Sequence, residues 1–173
     1  MVDLMAVIEG LNAGGADEIW IYDEHYYGRN IDTDNLPDNV FCINGKPQYQ
    51  KNWAGGLDET FTGLILLGFH SKRGTENALL NHAYEPDIVN IDINGVSVGE
   101  VGMETAIAGV YNVPLVMITA DSEGIREAKE LVPGTVGVCV KESLSEFGVL
   151  CYSLNVTKKR LYDAAKAVAE KNS

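Results

Sequence analysis

The sequence predicts an α/β fold: three layers, with a largely parallel sheet and helices on both faces. Three observations carry that expectation. Short, bulky apolar runs bounded by turn residues, at positions 63–69, 114–119 and 135–140, have the pattern of parallel strands buried on both faces. Stretches with apolar residues at helical spacing lie between such runs. Helices and strands also alternate along the chain, as they do when crossover helices join parallel strands.

The elements follow in order. Residues 2–12 predict a helix with Leu4, Val7, Ile8 and Leu11 on one face, stopped by Gly14 and Gly15. Residues 18–22 predict a strand, followed by a polar loop over 24–38. Residues 40–43 predict a short strand, and 47–56 a loop or a single helical turn. Residues 63–69 are the clearest central strand, and 71–81 a polar loop with glycine. The alternation over 87–93 predicts a strand with one solvated face, and Asn94-Gly95 is a hairpin turn signal. Residues 100–111 predict a helix and 114–119 a buried strand. Asp121-Ser122-Glu123 opens a helix to about Leu131, acidic groups being favoured at the positive end of a helix dipole. Residues 135–140 form the last strong strand, and 157–170 an amphipathic helix through Leu161, Ala164, Ala165 and Val168. The expected domain organisation is a single unit over residues 1–173.

Composition narrows the function. The 173 residues are 46% hydrophobic and 22% charged, ordinary values for a globular chain. A formal net charge of −12 argues against nucleic acid, whose phosphates are met by Lys and Arg. No run reaches transmembrane length and the first residues lack a basic leader, so the expected location is cytoplasmic, without a membrane partner. Cys42, Cys139 and Cys151 are widely spaced and odd in number, which suggests reduced thiols.

The chemistry sits with the histidines, of which there are three. His25 and His70 each stand just past an apolar run, where strand ends of an open α/β sheet converge on a ligand-binding rim. His82 follows a polar loop. Glu100 lies in Val98-Gly99-Glu100-Val101-Gly102, where a glycine-flanked turn opens a helix. Two imidazoles and a carboxylate on one rim suit zinc. A single histidine after a strand is more often a hydrogen-bonded loop residue than a ligand, so the spacing alone stops there.

Several stretches together resemble the M55 metallopeptidases, the zinc-dependent D-aminopeptidases of the dipeptide-transport-associated type. They are Asp23-Glu24-His25, Gly68-Phe69-His70-Ser71, Asn81-His82-Ala83-Tyr84 and Asn94 through Gly102. Glu9-Gly10, Gly15-Ala16-Asp17-Glu18, Ala54 through Asp58 and Val140-Lys141-Glu142 fit in the same order. The resemblance runs from about Val2 to about Leu154.

The resemblance implies hydrolysis of N-terminal residues from short D-amino-acid peptides or amides, by a homo-oligomer. It implies two zinc ions per site, with His25 and Glu100 on one, His70 on the other, and His82 as the catalytic histidine. It gives Asp23 and Asn30 supporting roles, against the plainer readings of a strand-end cap and an Asx-turn. The chain departs from the pattern in two respects. Glu24 and Tyr26 stand where a serine and a glycine are usual. No Asp-x-Glu after an apolar strand is found, and in the family that aspartate bridges the metals. The expectation is therefore one zinc or fewer, and the family's C-terminal portion is expected to be missing as well. The rival reading is a catalytically impaired or non-catalytic relative that binds metal or peptide, or only oligomerises. An unrelated flavodoxin-like binding domain would require all the motif matches to be chance.

Overall fold

The structure is a computed structural model that describes residues 1–45 and 55–172. The expectation for 47–56 falls largely outside the described residues. Helix α1 (Val2–Ala13) ends at Gly14, and Gly15 takes a φ of +91° that lets the chain reverse into β1 (Ile19–Tyr22). After a long irregular loop, β2 (Val40–Ile43) pairs with β1 in parallel, Ile19 opposite Val40. Then come β3 (Leu64–Phe69), β4 (Ile91–Ile93), β5 (Val96–Val98), α2 (Glu100–Val110) and β6 (Leu115–Asp121). The chain continues through α3 (Ser122–Leu131), β7 (Val136–Ser145), β8 (Gly148–Cys151) and α4 (Leu154–Asn172).

The larger sheet has the order β3-β6-β7-β8, with β3, β6 and β7 parallel and β8 antiparallel to β7. Successive residues of a strand face opposite sides, and β6 shows how the layers divide. Met117 packs with Ala6 and Val7 of α1 and with Leu161, Ala165 and Val168 of α4. Ile118 packs on the other face with Val101 of α2 and Ala128 of α3. Helices thus cover both faces of the sheet, as the sequence predicts. A third cluster joins α1 to the smaller sheet through Leu4, Ile8, Ile19 and Val40, and Leu67 of β3 packs against it. No helix among the described residues is long and apolar enough to cross a membrane.

Some expectations are corrected. The 63–69 strand lies at the margin of its sheet among the described residues; β6 and β7 are flanked on both sides, and β6 is nearly buried throughout its length. The predicted strand over 87–93 is reduced to Ile91–Ile93: across the turn at Asn94 (φ +54°) and Gly95 (φ +84°), its partner β5 offers only Val96–Val98 before α2 begins. The last strand is longer than predicted, running on to Ser145 and returning as β8. The final helix starts three residues earlier than the pattern suggests.

Candidate metal centre

His70 is the first residue past β3. Gly68, at φ +77°, breaks the β3–β6 register between Leu67 and Phe69, and its N–H donates to Thr119 Oγ1 at 2.8 Å. Such a bulge re-aims the strand end. Glu100 is the first residue of α2, at the positive end of the helix dipole, where a carboxylate is favoured. His82 lies in the irregular segment 71–84.

That segment is tied down along its length. The Lys72 N–H donates to Glu127 Oε2 at 2.6 Å. The Leu79 N–H donates to Asp121 Oδ2 at 3.2 Å and to Ser143 Oγ at 3.1 Å, and the Ser143 hydroxyl itself donates to Asp121. The Leu80 N–H reaches the Glu146 carbonyl at 2.8 Å. Tyr84 closes the segment on α2: its N–H donates to Glu100 Oε1 at 2.6 Å and its hydroxyl to Glu104 Oε1 at 2.8 Å.

The result brings His70, His82 and Glu100 together. Their candidate ligand atoms all lie within 4.8 Å of one another. His70 Nε2 is 3.5 Å from Glu100 Oε2, and His82 Nε2 is 3.8 Å from Glu100 Oε1. The two imidazoles stack, with ring centroids 3.9 Å apart. His70 Nδ1 lies 3.0 Å from the Ser71 carbonyl and His82 Nδ1 2.6 Å from the Leu80 carbonyl. A carbonyl only accepts, so each Nδ1 carries a proton, and Nε2 of each ring, on the Glu100 side, is the atom a metal would take. Ligands about 2.0–2.2 Å from a tetrahedral zinc sit roughly 3.3–3.5 Å apart. The donor set therefore suits zinc, and the ligand atoms, within 4.8 Å of one another, would draw in on binding.

The electrostatics agree with a site held ready for a cation. Burial alone would lower the His70 pKa, but the Glu100 carboxylate and the Ser71 carbonyl outweigh it and hold the imidazole above its ordinary value. Burial alone would raise Glu100, yet His70, the Tyr84 N–H and His82 together keep it below the usual carboxylate range. One turn on, Glu104 is pushed up to about 7, first by burial, then by Glu24 and Glu100, against the hydrogen bond from Tyr84. Burial raises Tyr84 and Tyr22 most, and Glu104 and Glu24 add to both, so the end of β1 lies near the first turns of α2.

His25 stands outside the three-residue group. It is exposed, and its ring packs edge-on against Tyr26 with centroids 4.3 Å apart. Asp23, buried at 4% exposure, accepts from the N–H groups of Asn30 and Ile31 and from the Asn30 side chain, which also reaches the His25 carbonyl. In this structure Asp23 and Asn30 organise the loop around His25. Of the supporting groups, Ser143 and Glu127 have no signal in the sequence. Tyr84 lies in the Asn81–Tyr84 stretch and Asp121 opens α3, but neither reveals its partner, and Glu104 lies four residues after Glu100 on the same helix face.

Comparison with known proteins bears on this arrangement. The family model Peptidase_M55, described as D-aminopeptidase, matches residues 1–173. A D-aminopeptidase of Bacillus subtilis (strain 168) is 32% identical over 149 residues, covering 85% of this chain and 53% of the relative. The chain thus spans about half the length of that curated relative. Among solved structures, the Zn-dependent D-aminopeptidase DppA from Bacillus subtilis, a self-compartmentalizing protease, superposes with a TM-score of 0.90 at 27% identity. That match covers 98% of this chain and 61% of DppA. With sequence and backbone in agreement over this length, the chain belongs to the M55 family of D-aminopeptidase-type peptidases.

Proposed function

We propose that this chain is a zinc-dependent aminopeptidase that removes N-terminal D-residues from short peptides or amides. The observation that carries the proposal is the gathering of the His70 and His82 imidazoles and the Glu100 carboxylate, with candidate ligand atoms within 4.8 Å of one another. His70 and Glu100 hold the metal. Zinc, when bound, supplies Lewis-acid polarisation of the scissile carbonyl and of the attacking water. His82 Nε2 takes a proton from that water and returns it to the leaving amine, the general acid–base work an imidazole performs near neutral pH. Asp23 and Asn30 hold the loop that presents His25, and His25 completes the ligand set from the end of β1. The relative's self-compartmentalizing assembly suggests that this chain also works as an oligomer. Location in the cytoplasm remains part of the same proposal.

A second reading is favoured by one distance. His82 Nε2 lies 3.8 Å from Glu100 Oε1, within the ligand group itself, so His82 can serve as a third zinc ligand. The His82→Ala variant separates the two. Metal content by mass spectrometry and hydrolysis of D-alanyl p-nitroanilide are measured together. On the first reading the variant keeps its zinc and loses turnover; on the second it loses zinc as His70→Ala does. The wild-type chain is expected to take up zinc. A wild-type chain that takes up no zinc from excess metal would instead support a non-catalytic M55 relative.

A further inference from the structure

Glu127, on α3, touches none of the three grouped residues, yet it connects two of the segments that carry them. Its side chain is almost fully buried, at 6% exposure. Oε2 accepts the Lys72 N–H at 2.6 Å, two residues past His70. Oε1 accepts the Gly99 N–H at 3.2 Å, one residue before Glu100. A single carboxylate therefore bridges the exit of β3 and the N-cap of α2.

The two segments also meet directly. A Cβ on Gly99 would stand 2.6 Å from Lys72 Cβ and 2.7 Å from Lys72 Cα. Glycine lets the backbones touch, and Glu127 clasps them from behind. The clasp is made by an acid without an ion pair among the described residues, and the Lys72 ammonium donates to the Ser97 carbonyl at 2.9 Å. Burying a charge with only amides to satisfy it is costly. A glutamine of similar size has an acceptor oxygen on one side only, and would turn its donor NH2 toward one of the two N–H groups.

We infer that Glu127 is a positioning residue of the metal centre, fixing the spacing of His70 and Glu100 through the Lys72 and Gly99 amides. The inference rests on the proposed function, in that the spacing matters because a metal is bound there. Outer groups that orient ligands typically contribute 10–100-fold to metal affinity.

The test uses cobalt(II) and zinc(II) titrations of the metal-free full chain, with cobalt visible absorption as a geometric readout. Glu127→Gln should weaken both metals about 10–100-fold and shift the cobalt bands. Glu130→Gln, on the same helix but exposed, should change neither. A loss of packing alone would lower Tm without altering the cobalt spectrum of the loaded protein. Affinity within twofold of wild type together with an unchanged spectrum would overturn the inference. No metal uptake by the wild type would overturn the proposed metal centre instead. Should Glu127→Gln fail to fold, hydrogen exchange of the wild type decides. Zinc should slow exchange at the Lys72 and Gly99 amides, and rates unaffected by zinc would refute the coupling.

Discussion

Glu104 shows how much one residue's surroundings add to what its sequence position reveals. It faces Tyr84 from the 71–84 segment, Glu24 from the end of β1 and Glu100 from its own helix. Its pKa of about 7 lies above the ordinary 4.5, so between those values the folded chain binds a proton that the unfolded chain has released. Stability therefore falls as pH rises through that window. In thermal melts of the metal-free protein, the drop in Tm from pH 5 to pH 8 should shrink by a few degrees in Glu104→Gln. At this chain length roughly 2–4 °C corresponds to about 1 kcal/mol. An equal drop in both proteins would mean that the group is not held neutral. His70 and Glu100 are legible in the sequence because one follows a strand and the other opens a helix, and His82 through the Asn81–Tyr84 stretch that resembles the family. Glu127, and the hold of Asp121 on the 71–84 segment, are not. Their partners are backbone amides 55, 28 and 42 residues away, and a backbone amide leaves no mark in a sequence.

Among the elements, β1, β2, β3 and β6 match their expected bounds to within two residues, since each is a short apolar run between turn residues. The part of β7 beyond Val140 and all of β8 went unread for the converse reason. Lys141, Glu142 and Ser143 are held by ladder pairing with Val149, Leu150 and Cys151 rather than by burial, and pairing is compatible with polar residues. Helix contacts are likewise invisible until helices are placed. Gly10 and Gly14 of α1 lie against α4: a Cβ on Gly10 would be 2.4 Å from the Tyr162 carbonyl oxygen. Gly109, near the end of α2, has open space where its Cβ would go. Alanine favours a helix over glycine by about 1 kcal/mol, so the two sites should respond with opposite sign. Gly109→Ala should raise Tm slightly. Gly10→Ala should lower it by the equivalent of about 1–3 kcal/mol, because it forces α1 away from α4. Denaturant melts of both variants check this, and a stabilised Gly10→Ala would mean that the helices have room to part.

At the scale of the whole molecule, the irregular segment 71–84 has a consequence for how the protein comes together in time. It has no helix or strand of its own, and its anchors come from α2, α3 and the β7–β8 hairpin. Such anchors can act only once the layers behind them have docked, since contacts distant in sequence form after the loops between them close. The ligand group is then among the last features to form and among the first to be lost. Interactions absent from the folding transition state slow unfolding and leave the folding rate unchanged. Stopped-flow refolding of the metal-free chain should therefore proceed at the same rate with or without zinc, while unfolding in denaturant slows with each increment of bound metal. Zinc that hastened refolding instead would mean that the metal gathers its ligands early and that the fold is built around them.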